Sequence, residues 1–296
     1  MQAMILAAGF GTRLLPFTKL RPKPLFPILN EPLLLLTIRR LQAAGFDHII
    51  VNCHYLKEQI VSALSGISGV LVQEEETVLG TGGGLRMAVS NLRDEPLLVS
   101  NGDIYHTVDF HKLYAAHRAN HGAVTMAMHD YPRFNKVTVL DGQITGFDVI
   151  QDDNCLAFTG LHVLEPEVLE KIPLEQNYSI IDCYRGLLQE GKPIFALRVD
   201  GCSWTDMGTV TDYLALHGRL LKREIPLWPE FSNVSETGFL VHGDALTGTG
   251  GMMREWVCVG RAQLEENVSL QRCVVWDDAR IVKGAVHSDV LLVPEE

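Results

Sequence analysis

No stretch of about twenty uninterrupted apolar residues occurs in the 296-residue chain, so nothing in the sequence predicts a membrane-spanning helix. The start, Met1 to Gly9, has no basic stretch and is too short for a secretory leader. It reads as a buried first strand, and the protein is expected in the cytoplasm. The six cysteines, at 53, 155, 183, 202, 258 and 273, never form a C-x-x-C pair, which excludes a zinc knuckle and argues for reduced thiols over a disulfide framework. Positive charge is scarce: 25 Lys and Arg against 36 Asp and Glu leave a net charge of -11. That balance excludes the dense cationic field that a nucleic acid or an anionic membrane requires. The few cations are concentrated, however, with Arg13, Lys19, Arg21 and Lys23 in one short segment. An anion can still be held there.

What is present is an alternation of strand-length apolar runs with helical patterns, the signature of a mostly parallel sheet covered by helices. Strands are expected at Gln2 to Ala7, His48 to Cys53, Val70 to Gln73, Pro96 to Ser100, Ala123 to His129 and Ile194 to Val199. Helices are expected at Leu33 to Ala44, Tyr55 to Leu64, Thr81 to Leu92, Phe110 to Asn120, Ser179 to Gln189 and Thr209 to about Arg223. Between Asn135 and His162 the pattern shortens to alternating segments joined by Asp141-Gly142, which predicts an antiparallel hairpin insertion. His117 and His121 have zinc-pair spacing, but no Glu follows the first, and the polar surroundings read as a solvated helix face.

After Pro226 and Pro229 the texture changes to glycines and short apolar pairs, which divides the chain into a domain at 1-224 and a segment at 225-296. Leu264 and Leu270, Val268 and Val274, and Ala279 and Ala285 each lie six apart, resembling the hexapeptide repeat of a parallel β-helix. A few such coils cannot bury a core alone, so the tail is expected to pack on the main domain or in a homo-oligomer.

The loop after the first strand, Ala8-Gly9-Phe10-Gly11-Thr12-Arg13-Leu14, invites a dinucleotide-binding reading and fails it. Leu14 stands where the third glycine belongs, and Pro16 interrupts the helix that should follow. No Gly-Lys-Ser/Thr makes it a Walker loop either. Its continuation, through Arg21-Pro22-Lys23-Pro24-Leu25, supplies glycines that admit a phosphate chain to the backbone, a planar arginine fork and a lysine between two prolines. That combination predicts a polyphosphate cradle. Asp103 follows an apolar strand and Asp206 precedes a helix, and one Mg²⁺ is satisfied by two such carboxylates completed by phosphate and water.

From Leu6 to Leu25 the chain resembles the sugar-1-phosphate nucleotidyltransferases, whose signature is roughly L-A-A-G-x-G-T-R-L-x-P-x-T-x-x-x-P-K-P-L. The resemblance continues through Leu79-Gly80-Thr81-Gly82, Asn101-Gly102-Asp103, Phe158-Thr159-Gly160 and Trp204-Thr205-Asp206-Met207-Gly208, about residues 1 to 223. It implies a Rossmann-like α/β domain with a mixed, mostly parallel sheet and Mg²⁺-dependent transfer of a nucleoside monophosphate from an NTP to a sugar 1-phosphate. It also implies roles. Arg13 and Lys23 are catalytic; Leu6, Ala8, Gly9, Gly11, Thr12, Gln73, Gly80, Thr81 and Gly82 hold the nucleotide. Asn101, Thr159 and Gly160 hold the sugar phosphate, and Asp103 and Asp206 hold the metal. One departure stands out: many relatives carry a Glu-Lys-Pro where this chain has Phe147-Asp148-Val149-Ile150, and that lysine is missing. GTP with mannose 1-phosphate leads. The alternatives are a uridylyltransferase acting on another sugar such as N-acetylmuramate 1-phosphate, a phosphocholine cytidylyltransferase-like enzyme using Tyr105, Trp204 and Asp206, and a non-catalytic nucleotide-binding subunit.

Overall fold

The structure is a computed structural model and describes residues 1–149, 153–232 and 234–295. Contacts sort the chain into two compact units, Met1–Phe10 with Thr37–Trp204, and Gly11–Leu36 with Thr205–Glu296. The division differs from the one composition suggests at 224/225. Most of the glycine-loop motif, within Gly11–Leu36, groups with the C-terminal segment, because packing follows contacts and not texture along the chain.

The first unit is built on a nine-stranded sheet. Its strands are β1 (Gln2–Leu6), β2 (His48–Cys53), β3 (Val70–Glu74), β4 (Leu97–Asn101), β5 (Val124–His129), β6 (Val137–Leu140), β7 (Gln143–Phe147), β8 (Cys155–Leu164) and β9 (Ile194–Arg198). The order across the sheet is β3-β2-β1-β4-β8-β5-β9-β7-β6. Strands β3, β2, β1 and β4 pair in parallel, as do β5 and β9, while β8 runs antiparallel to both β4 and β5. The parallel strands read as continuous apolar runs because both faces are covered, and Ala3 to Ile5, Ile49 to Val51 and Leu97 to Val99 are fully buried. The helices are α1 (Leu33–Ala43), α2 (Lys57–Leu64), α3 (Gly80–Ala88), α4 (Phe110–Asn120) and α5 (Ile180–Gln189). One core joins Met4, Ile50, Val99 and Met126 of the sheet with Leu85 and Ala88 of α3 and Tyr184 of α5.

Two expectations are corrected here. The segment ending at His162 is more than a hairpin insertion: β8 is a ten-residue antiparallel strand in the middle of the sheet. Thr159, Gly160 and His162 interrupt its apolar run, and a register shift between Phe158 and His162 breaks its alternation. The hairpin itself forms at Asp141 and Gly142, both with positive φ (48° and 76°), and its strands β6 and β7 extend the sheet edge. Nor is His117 on a solvated face. It is buried, bonded to Thr125 Oγ1 at 3.1 Å and Glu165 Oε1 at 3.2 Å, while exposed His121 ends the helix. All six cysteines are free thiols.

In the second unit, residues 11 to 25 wind through three short 3-10 turns, Thr12–Leu14, Phe17–Lys19 and Lys23–Leu25. Helix α6 (Val210–Leu221) starts at Thr209, whose hydroxyl accepts the N–H of Asp212 at 3.1 Å. The C-terminal strands are β10 (Phe239–Val241), β11 (Leu246–Thr247), β12 (Met252–Val259), β13 (Gln263–Leu264), β14 (Ser269–Val275), β15 (Arg280–Ile281), β16 (Val286–Ser288) and β17 (Leu291–Leu292). They form two parallel sheets, β10-β12-β14-β16 with β17 also on β14, and β11-β13-β15. Many paired residues in successive rows are seventeen apart, as Met252 with Ser269, Gln263 with Arg280 and Ser269 with Val286, and a register shift makes it sixteen at Val257 with Cys273. The six-spaced residues Leu264, Leu270 and Val268 face the core between the rows. Among the described residues no helix is long and apolar enough to cross a membrane.

Burial lowers the pKa of His106, His117, His162 and His217 and makes the fold acid-sensitive. His162 lies between the rings of Phe158 and Tyr184, and burial pushes its pKa down to about 3; burial takes His217 down to about 4. Both are neutral in the folded protein and protonate on unfolding below about pH 6.5, so the unfolded state binds more protons there. Stability is therefore expected to fall between about pH 6.5 and about pH 4, by as much as about 1.4 kcal/mol per pH unit for each histidine. Urea midpoints measured across that range test this, and His162→Phe should flatten the slope.

Candidate functional site

The parallel strands deliver their carboxyl ends to one edge, where open α/β sheets bind ligands. At that edge in the first unit, the N–H of Ala7 donates to Asn52 Oδ1 at 2.8 Å, and Asn52 Nδ2 donates to Glu75 Oε1 at 2.7 Å. The other oxygen of Glu75 accepts the N–H of Leu79 at 3.1 Å. Glu75 is only 1% exposed. A buried carboxyl is tolerated when it is hydrogen-bonded in this way. Asn52 and Glu75 thus fix the start of the glycine loop and the start of α3, and sequence reading passed over both. The signal available was a polar residue, Asn52, inside the apolar run of β2.

The glycines of the loop have different reasons to be glycine. Gly11 has φ +63°, and a Cβ there would lie 2.8 Å from Thr18 Cγ2, so the fold itself demands it. Gly9 has no positive φ, and a Cβ would meet nothing within 4 Å. The fold leaves open space beside the Gly9 backbone, as a phosphate cradle requires. Phe10 between them is 49% exposed, with its ring 5.6 Å from His54 and 5.8 Å from Tyr55. Ala8 is buried, Leu6 ends β1 with its carbonyl accepting the N–H of Gly102 at 2.9 Å, and Thr12 is exposed. That last bond holds the Asn101-Gly102-Asp103 turn, on which Asp103 is half-buried.

Helix α3 starts against the segment at Tyr178 to Ile180. The N–H groups of Gly82 and Gly83 both donate to Tyr178 O, at 2.8 and 3.2 Å, and Thr81 Oγ1 accepts the N–H of Ile180 at 3.0 Å. Gly80, with φ +70°, has Tyr178 O 2.8 Å from its Cβ position. The run is glycine because a chain segment seals the helix start, and the Gly82 N–H and Thr81 hydroxyl are already engaged. Gln73 Nε2 is likewise bonded to Gly84 O at 2.9 Å, holding the helix. Thr159 is also internal: its hydroxyl donates to Ala127 O at 2.8 Å and accepts the N–H of Leu161 at 3.3 Å. It shapes the β8 irregularity, while Gly160, at φ +79°, has Asn101 Nδ2 2.5 Å from its Cβ position. Asn101 and Gly160 therefore do come together. Tyr105 is fully buried, which removes it from any cage around a quaternary amine. Where relatives carry the lysine, Asp148 pairs instead with Arg185; Ile150 lies outside the described residues.

The second unit gathers the cations. Lys23 is 7% exposed, and its Nζ lies 3.5 Å from Asp206 Oδ1. Arg13, exposed at 62%, brings Nη1 to 3.8 Å from Asp206 Oδ2. Gly208 makes room: a Cβ would sit 2.6 Å from Arg13 Nη1 and 2.9 Å from Asp206 Oδ2. A buried ammonium, an exposed guanidinium and a carboxylate in one place suit binding and orienting phosphate groups.

The first unit is an α/β domain on a mixed, mostly parallel sheet, and the second brings Lys23, Arg13 and Asp206 together. Residues 2–223 match the family described as nucleotidyl transferase. The chain belongs to that family, and it is a nucleotidyltransferase. It is 30% identical to the mannose-1-phosphate guanylyltransferase of Mycobacterium tuberculosis, over 96% of this chain and 82% of that protein. It is 31% identical to the UTP–glucose-1-phosphate uridylyltransferase of a Synechocystis strain, over 84% of this chain and 69% of that protein. The crystal structure of HddC from Yersinia pseudotuberculosis shares the fold, with a TM-score of 0.63 and 23% identity over 73% of this chain and 97% of that one.

The two glycines can be separated by experiment. Gly9→Ala is expected to leave the thermal midpoint unchanged and lower nucleotidyl transfer on the order of a hundredfold, by closing the approach to the backbone. Gly11→Ala should cost about 1–2 kcal/mol of stability through its left-handed backbone. Thermal melts beside initial rates decide it.

Proposed function

We propose that the protein transfers a nucleoside monophosphate from an NTP, with GTP as the leading donor, to a sugar 1-phosphate, with mannose 1-phosphate as the leading acceptor. The observation that carries the reading is the buried Lys23 held opposite Asp206 with Arg13 beside them. The names of the similar proteins support the substrate class. An oxygen of the sugar phosphate attacks the α-phosphorus, the α–β bridging bond breaks, and pyrophosphate leaves with the electron pair. No covalent enzyme intermediate is needed. The protein's task is to bring two anions together and align them. Lys23 balances charge on the α-phosphate or incoming phosphate, Arg13 balances it on the departing pyrophosphate, and the Gly9 loop holds the chain of phosphates by its backbone.

Mg²⁺ is the proposed cofactor, with Asp103 and Asp206 as its carboxylates. Their hard oxygens suit this ion, which takes one or two carboxylates beside phosphate and water. Among the described residues no three His, Cys, Asp or Glu gather into a group. When bound, the ion would neutralise phosphate charge and polarise the phosphoryl group. Residues 1-224 are read as the catalytic domain and 225-296 as a short β-helix, supported by the seventeen-residue rows and six-spaced core residues. The proposed setting is the cytoplasm.

The four NTPs combined with mannose, glucose and N-acetylmuramate 1-phosphates, scored by pyrophosphate release with Mg²⁺, test the assignment. Release is expected, highest with GTP and mannose 1-phosphate; UTP preference would select the uridylyltransferase reading. Lys23→Ala is expected to lose about 10²–10³ in kcat while its circular dichroism stays native. Near-normal turnover in that variant would remove Lys23 from the mechanism.

A further inference from the structure

Trp276 lies beyond the part of the chain that the family match covers, yet it is packed into the segment that carries Lys23. Its indole is 2% exposed. The Phe26 ring stands against it at 4.7 Å, the Phe17 ring at 6.3 Å, and the Arg21 guanidinium lies over it at 5.0 Å. Arg21 and Phe26 bracket the turn Lys23–Leu25, and the N–H of Phe26 donates to Lys23 O at 3.0 Å. One ring therefore grips the lysine's turn from both ends.

The same indole reaches the Asp206 side. Its Nε1–H donates to Tyr213 Oη at 3.0 Å, and that hydroxyl donates to Pro27 O at 2.5 Å. Tyr213 sits on α6, the helix that follows Asp206. Farther along the segment, Asn30 Nδ2 donates to Val259 O at 2.8 Å, and the N–H of Leu29 donates to His217 Nε2 at 3.3 Å. A buried ammonium needs its partner carboxylate held at a fixed distance, since an uncompensated buried charge is strongly destabilising.

We propose that Trp276 is a positioning residue: the C-terminal coils brace the loop and helix α6 through it and so set Lys23 against Asp206. The tail is then a structural part of the catalytic centre. The activity consequence rests on the function proposed above, whereas the bracing itself does not.

The test uses the full chain with Trp276→Leu and Trp276→Phe, read in two ways. Steady-state kinetics should show Trp276→Leu losing roughly ten- to a hundredfold in kcat, as expected for a misplaced catalytic group, with a KM for NTP within about threefold. Trp276→Phe keeps a ring between Arg21 and Phe26 and should recover most of that loss. Independently, an amine-acylating reagent followed by peptide mass spectrometry should modify Lys23 about tenfold faster in Trp276→Leu than in wild type, because the turn is freed. If Trp276→Leu does not fold, Tyr213→Phe, which cuts the bridge to Pro27, is expected to raise Lys23 labelling on its own. A folded Trp276→Leu or, in its place, Tyr213→Phe with wild-type labelling of Lys23 overturns the proposal. So does kcat within twofold of wild type in Trp276→Leu. If wild type releases no pyrophosphate from any pair, the functional reading falls and labelling alone decides the bracing.

Discussion

The buried carboxyl of Glu75 is the constraint on which the strand carboxyl-end edge of the first unit depends. Both of its oxygens are engaged, one by Asn52 and one by the Leu79 N–H, and Asn52 passes the restraint to the Ala7 N–H. Three chain segments remote in sequence are thereby held by one group that water cannot satisfy. The arrangement also explains a glycine, because a Cβ on Gly84 would lie 2.7 Å from Glu75 Oε1 and 2.8 Å from Asn52 Nδ2. A buried polar network of this kind specifies geometry strongly, since each member deprived of its partner pays the desolvation cost in full.

Much of this was legible in the sequence, and the pattern of failures is physical. Strands such as His48–Cys53 and helices such as Phe110–Asn120 are read to the residue because their periodicity and boundary signals agree. Arg13, Lys23 and Asp206, spread over nearly two hundred positions, do come together within one unit. Thr159 and Gly82 illustrate the opposite case. Their motif membership is visible, but whether a hydroxyl or N–H points at a ligand or at a neighbouring carbonyl depends on which loop packs there, and Ala127 and Tyr178 are not adjacent to them in sequence. Glu75 and Trp276 were invisible for a related reason. One Glu in the run Glu74-Glu75-Glu76 and one Trp in a β-rich tail carry no local signature of what they support.

The glycine-loop signature, continuous in sequence, falls into two mechanical halves. The chain passes from one compact unit to the other between Phe10 and Gly11. Upstream, the backbone around Ala7 is anchored by Asn52 and Glu75, and Gly9 is left with open space. Downstream, Gly11 is fixed by its own left-handed conformation and by Thr18, whose hydroxyl donates to Gly11 O at 3.3 Å, and the turn of Lys23 is held through Phe26 and Trp276. The same short motif therefore draws its rigidity from two unrelated sources. A substitution that loosens Asn52 acts on the backbone around Ala7, whereas one that loosens Tyr213 acts on the turn of Lys23, although the residues they serve are close in the chain. The order of each half is supplied by partners elsewhere in the chain and not by its neighbours in sequence.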